Sequence, residues 1–176
     1  MVERETRDGV ATARSQHVVH FMDRNHGTAA RLLGGMLDRI DSTQGDPVAL
    51  IIVPSAEDAV RLSDADVRSG RSGAVLLTPI TDVARGQRQL ARNPAAIVAA
   101  PAELLPLLEQ SLLRVNGLKT VVLAWPEELL TEDRLAGLES VLGEAPRSAE
   151  RLAICARTSP ELDQLLERVM WRARRI

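Results

Sequence analysis

The chain has 176 residues, 45% hydrophobic and 26% charged, which suits one soluble globular domain and excludes a disordered chain. A net charge of -2 and a pI near 6.0 exclude a protein that coats nucleic acid by charge alone. The single cysteine, Cys155, excludes an internal disulfide and a Cys-based zinc site.

Residues 1–16 form a polar lead containing Glu3, Glu5 and Asp8, unlike a signal peptide. No apolar run approaches the roughly 20 residues of a membrane span. A cytoplasmic protein without membrane contact is expected. The next run, His17–Phe21, reads as a first strand. Ala49–Val53, Ala74–Thr78, Ala96–Ala100, Thr120–Ala124 and Leu152–Ala156 read as further strands. None of them alternates, as expected when both faces of a sheet are covered.

Helical patterns fall between these runs. Leu32, Leu33, Met36, Leu37 and Ile40 form one apolar stripe after Thr28. Ser55, followed by Glu57 and Asp58, reads as an N-cap with acids in the first turn. Ser63–Gly73, rich in Asp, Arg and Gly, reads as a surface loop. Pro101 suits the first position of a helix that Pro106 should tighten or kink. Thr131 opens another helix, and Ser159-Pro160 opens the last. Strand and helix in alternation predict an α/β domain over residues 17–176. Its sheet is expected to be mostly parallel, with about six strands and helices on both faces.

Ligands in such sheets sit beyond the carboxyl ends of the strands. The first strand leads into Met22-Asp23-Arg24-Asn25-His26-Gly27-Thr28 and then a helix, the placement of a phosphate-binding loop. Further along come Val53-Pro54-Ser55-Ala56-Glu57-Asp58-Ala59 and Ala99-Ala100-Pro101-Ala102-Glu103-Leu104-Leu105. Val121-Val122-Leu123 then runs into Ala124-Trp125-Pro126-Glu127, and Cys155-Ala156-Arg157 precedes Ser159-Pro160-Glu161-Leu162. In order and spacing this series resembles the first domain of the DEAD-box RNA helicases. That family carries A-x-T-G-x-G-K-T, P-T-R-E-L-A, A-T-P-G-R-L-L, D-E-A-D, S-A-T and P-P-E-V at these points. Arg174-Arg175-Ile176 resembles the strand that closes that domain.

The resemblance implies a RecA-like, P-loop NTPase-type three-layer sandwich. It also marks departures. Arg24, His26 and Gly27 stand where the family has glycine, glycine and the phosphate-gripping lysine, with only Thr28 kept. Ala124 and Trp125 replace the magnesium-holding Asp and the water-polarising Glu, with Pro126 and Glu127 completing that segment. Cys155, Ala156 and Arg157 stand at S-A-T. Ala56, Ala102 and Glu103 replace residues of the RNA-contacting segments, Glu103 placing a negative charge where phosphate should approach.

All three segments therefore read as vestigial. The expectation is a catalytically inactive pseudo-helicase domain, not an enzyme, with no cofactor and no metal. It would serve as a scaffold for a protein partner or as a homo-oligomer. A weak nucleic-acid-binding module, or the N-terminal fragment of a longer DEAD-box-like protein, is the alternative.

Other residues carry plainer readings. His17 and His20 lie on opposite faces of a strand, which disfavours a metal site. Cys155 reads as a small core residue. With one Phe, two Trp and no Tyr, stacking of single-stranded bases has few rings to use. Arg172, Arg174 and Arg175 have two readings, contact with RNA or, as is usual for arginines in a last helical turn, service to the dipole and solubility. Trp125 is expected to plug the emptied cleft, or else to anchor a partner.

Overall fold

In each apolar run, successive side chains leave the sheet on opposite faces, so both faces need a helical cover. A computed structural model describes residues 16–41 and 45–176 and shows that arrangement. In chain order the elements are β1 (Val18–Phe21), α1 (His26–Leu37), β2 (Ala49–Ile52), α2 (Ala56–Arg68), β3 (Leu77–Pro79) and α3 (Val83–Leu90). They continue with β4 (Ala96–Ala99), α4 (Pro101–Glu109), β5 (Thr120–Ala124) and a 3₁₀ turn at Pro126–Leu129. The last are α5 (Glu132–Glu144), β6 (Glu150–Cys155), α6 (Pro160–Val169) and β7 (Arg174–Arg175).

The strands form one seven-stranded sheet in the order β3-β4-β2-β5-β6-β1-β7. Every pairing is parallel, as expected, and β7 makes one strand more than the apolar runs suggest. Leu50 and Ile52 point into a core closed by Leu104 and Leu107 of α4, Leu138 and Val141 of α5, and Leu162 and Leu165 of α6. Ala49 and Ile51 point into the opposite core, closed by Ala30 and Leu33 of α1 and Ala59 and Leu62 of α2. The chain is therefore the α/β three-layer arrangement that its periodicity predicts.

Three local expectations are corrected. The stretch from Ser63 to Gly73 is not a loop throughout, because α2 runs on to Arg68. Its polar groups are satisfied internally: Ser63 Oγ donates to the Leu77 carbonyl at 2.9 Å. Arg71 donates twice to the Asp66 carboxylate, at 3.1 and 3.0 Å. Arg71 also reaches Asp38 at 2.7 Å and the Val75 carbonyl. The strand expected over Ala74–Thr78 instead begins at Leu77, because Val75 and its neighbours are engaged in this bridge.

The tail arginines are the third correction. Helix α6 ends at Val169, so Arg172, Arg174 and Arg175 lie beyond it and do not cap a helix dipole. Arg174 and Arg175 instead form β7, the closing strand that the resemblance implies. Helix α3, which the apolar pattern does not announce, starts from Asp82, whose side chain accepts the Arg85 N–H at 2.8 Å. Helix α4 continues through Pro106 to Glu109. The polar lead, apart from Gln16, lies outside the described residues.

Candidate functional site

At the carboxyl end of β1 the chain turns through Met22–Asn25 into α1. Asn25 caps this helix, its side-chain oxygen accepting the Thr28 N–H at 2.9 Å. A Cβ on Gly27 would sit 3.2 Å from that oxygen, which accounts for the small residue there. His26 opens the helix and Arg24 precedes the cap, both directed across the sheet end.

There they meet α2 and the segment after β5. Asp58 lies in the first turn of α2 and is buried. It accepts from Arg24 Nη2 at 3.0 Å and from Ser55 Oγ at 2.9 Å, and it faces His26 Nε2 at 2.8 Å. Arg24 Nε donates to Glu128 at 2.7 Å. Burial pushes the Asp58 carboxyl up, but hydrogen bonds from His26, Ser55 and Arg24, with the Arg24 charge, outweigh it and hold the group below its ordinary range. Burial opposes the charge of the Arg24 guanidinium as well, but its hydrogen bonds to Glu128 and Asp58, with the charges of both carboxylates, keep it above its ordinary value.

Beneath this ion-pair network lies Trp125, 0% exposed. The Arg24 guanidinium carbon is 4.4 Å from the indole centroid, and the His26 ring meets the indole edge-on at 4.9 Å. Trp125 has φ 56° and ψ 52°, the left-handed region, which costs a non-glycine residue about 1–2 kcal/mol. Its backbone N–H donates to the Ile154 carbonyl at 2.7 Å, while its indole N–H has no acceptor among the described residues. Trp125 is buried and not exposed at the surface.

Ala124 is buried at the end of β5, and Pro126 begins the 3₁₀ turn. Glu127 Oε1 accepts the Ala156 N–H at 2.6 Å and the Arg157 N–H at 3.3 Å, fastening the β5 and β6 ends together. Cys155 lies in the core, its thiol pushed up to about 12 by burial and then by the Glu127 charge, so it stays protonated.

The structure thus brings Arg24, His26, Trp125, Glu127, Ala156 and Arg157 into one region and leaves Cys155 behind it. Sequence reading missed Asp58 and Glu128, whose places in first helical turns mark them only as helix-start acids. It also expected an emptied cleft where a charged cluster stands. Elsewhere, His17 Nδ1 accepts the Arg151 N–H at 3.2 Å. Burial raises the Glu103 carboxyl above its ordinary value. Among the described residues no group of three or more His, Cys, Asp or Glu is placed to hold a metal ion, and no helix is long and apolar enough to cross a membrane.

No protein-family model matches the chain. It is 27% identical over 138 residues to the DEAD-box ATP-dependent RNA helicase CshA of Bacillus subtilis, covering 77% of this chain and 28% of that protein. It is 26% identical over 138 residues to ATP-dependent RNA helicase CshA of Listeria monocytogenes, covering 77% of this chain and 26% of that protein. The chain therefore spans about a quarter of the length of these relatives.

Its fold matches a DEAD box protein from Methanococcus jannaschii with a TM-score of 0.78 and 16% identity, over 90% of this chain and 44% of that one. It also matches Saccharomyces cerevisiae Dbp5, in a structure bound to Gle1 and IP6, with a TM-score of 0.75 and 16% identity, over 91% of this chain and 41% of that one. The chain is homologous to DEAD-box helicases and has their RecA-like fold.

One expectation falls with this result. The reading of a non-enzyme is overturned, because the homologues are named ATP-dependent RNA helicases, which are enzymes. That reading rested on Arg24, His26 and Gly27 in the loop after β1 and on Ala124 and Trp125 after β5. It did not anticipate that Asp58 and Glu128 meet Arg24 and His26 at the same strand ends.

Proposed function

We propose that this homologue of the DEAD-box RNA helicases is a RecA-like module, with residues 17–176 acting as one unit, that docks protein through the carboxyl-end surface of its sheet. The occupant is a second copy or a larger assembly. The observation that carries this reading is Arg24, bound to both Asp58 and Glu128 above Trp125. Together with Glu127 on the Ala156 and Arg157 amides, it ties the loops after β1, β2, β5 and β6 with the chain's own side chains. In this reading Gly27, Thr28, Ala124, Pro126 and Cys155 are the framework of that surface. Loops ordered in advance lower the entropic cost of docking.

Dbp5, which shares the fold, is held in a solved structure with a protein partner, Gle1. The chain's span of about a quarter of its relatives supports a further reading, in which the module is the N-terminal part of a longer DEAD-box-like protein.

Photo-crosslinking in growing cells tests the docking surface. A benzophenone side chain at position 102, exposed at the start of α4, is expected to trap one protein species. The same group at position 114, exposed ahead of the amino end of β5, is expected to trap none. No adduct from position 102, or equal adducts from both positions, overturns the proposal.

A further inference from the structure

Two surfaces of the chain are incomplete in complementary ways. The first lies after α6. Met170 is buried, but Trp171 turns outward with 62% of its surface exposed. Arg172, with φ +57° in the left-handed region, lays its guanidinium carbon 4.2 Å from the indole centroid. Ring and charge therefore project as one unit from the segment ahead of β7. Residues 168–176 contain no acid.

The second surface is a groove of about 270 Å³ between α4 and α5, at the carboxyl end of the sheet. Pro54, Pro101, Leu105 and Leu129 give it apolar walls, and the exposed Asp133 adds a carboxylate. Its floor is open because Gly137 carries no side chain. A Cβ there would lie 3.4 Å from Leu105 Cδ1 and 3.5 Å from Pro101 Cβ, between two of the walls. Neither Arg172 nor Asp133 has an ion-pair partner among the described residues.

We propose that Trp171 of one copy seats in the α4–α5 groove of a second copy, with Arg172 meeting Asp133 across the contact. This rests on the docking reading above and names its occupant. An apolar ring with an adjoining cation faces apolar walls with an adjoining carboxylate, so shape, polarity and charge agree. Tryptophan and arginine are also the side chains that most often anchor protein interfaces. The two halves lie at opposite ends of the sheet. Trp171 precedes the amino end of β7, and the groove opens where β2 and β4 end. Each copy thus offers its ring to one neighbour and its groove to another. Such a contact is heterologous, and it builds a ring or a filament rather than a two-fold dimer.

Sedimentation of the purified full chain at rising concentration tests the contact. The parent is expected to gain mass beyond a dimer. Trp171→Ala should weaken association about ten-fold or more at an unchanged melting temperature. Gly137→Leu should do the same by filling the groove, and should melt no lower, since glycine is a poor helix former. Mixed, the two variants should form a one-to-one dimer and nothing larger, because one keeps the groove and the other keeps Trp171. The photo-crosslinked adduct from position 102, on the groove wall, should have the mass of two chains. The proposal fails if the parent stays monomeric, if either variant associates like the parent, or if the mixture forms no dimer. An adduct with a different protein would overturn it and leave the docking reading standing, whereas no adduct would overturn both.

Discussion

Arg24 and Trp125, 101 positions apart in sequence, lie face to face, the guanidinium carbon 4.4 Å from the indole centroid. The arginine is half-exposed and the indole fully buried, so the charged group acts as a lid on the aromatic one. The contact joins the loop after β1 to the end of β5.

Trp125 is the largest of the fully buried side chains. Trp125→Ala is expected to destabilise the chain by about 3–5 kcal/mol, the usual cost of deleting a buried aromatic ring. Trp125→Gly should be no worse despite losing one more carbon, because glycine accepts the left-handed backbone without strain. Urea unfolding of the two variants measures both effects. A Trp125→Ala midpoint equal to the parent's would contradict the packing described here.

Asp58 should make stability sensitive to acid. Its folded pKa lies below the unfolded one, so its contribution is present above the ordinary aspartate range, about 3.9, and is lost as pH falls through the folded value. Asp58→Asn should therefore be less stable than the parent at pH 7. The gap should close in strongly acidic solution. Unfolding curves at both pH values give the comparison, and a gap that stays constant would mean the carboxylate charge is not what the pocket holds.

His17, just before β1, and His20, within it, act in a different range. Burial, then the Arg151 charge, lowers His17, and burial, then Arg174, lowers His20. The unfolded chain then binds more protons as pH drops through the ordinary histidine value, about 6.5, so stability declines on acidification below that point. Protonating His17 Nδ1 would also cost the hydrogen bond it accepts from Arg151. A double variant, His17→Asn with His20→Asn, should show a flatter dependence between pH 7.5 and 5.5 in thermal melts. An equally steep variant would exclude these imidazoles as the source.

Asp66 is 1% exposed and holds Arg71 through two hydrogen bonds. Removing one member strands the other, so Arg71→Met is expected to cost about 3–5 kcal/mol. Replacing both residues with apolar ones should be milder than either single change. A double-mutant cycle by urea denaturation checks the coupling, and simple additivity would argue against it.

The apolar runs Ala49–Val53, Ala96–Ala100 and Thr120–Ala124 were legible as strands because a buried parallel strand must be apolar on both faces. Ser55 and Ser159 were legible as helix starts because a side-chain oxygen there meets a free N–H. These local rules determined the α/β alternation, and the order of strand-end segments pointed to the helicase fold. They did not reach what depends on distant partners. Ser63–Gly73 looked like a loop because Asp and Arg are ordinarily solvated, and only the folded chain sets Asp66, Arg71 and Asp38 against one another. Asp58 looked like a helix-start acid until α1 and α2 packed side by side and carried His26 and Arg24 onto it. Arg172 passed as the end of a helix because nothing in the local sequence says that α6 stops at Val169. Capping and periodicity are written within a few residues, whereas charge pairing and exposure are settled by which segments the sheet order makes neighbours.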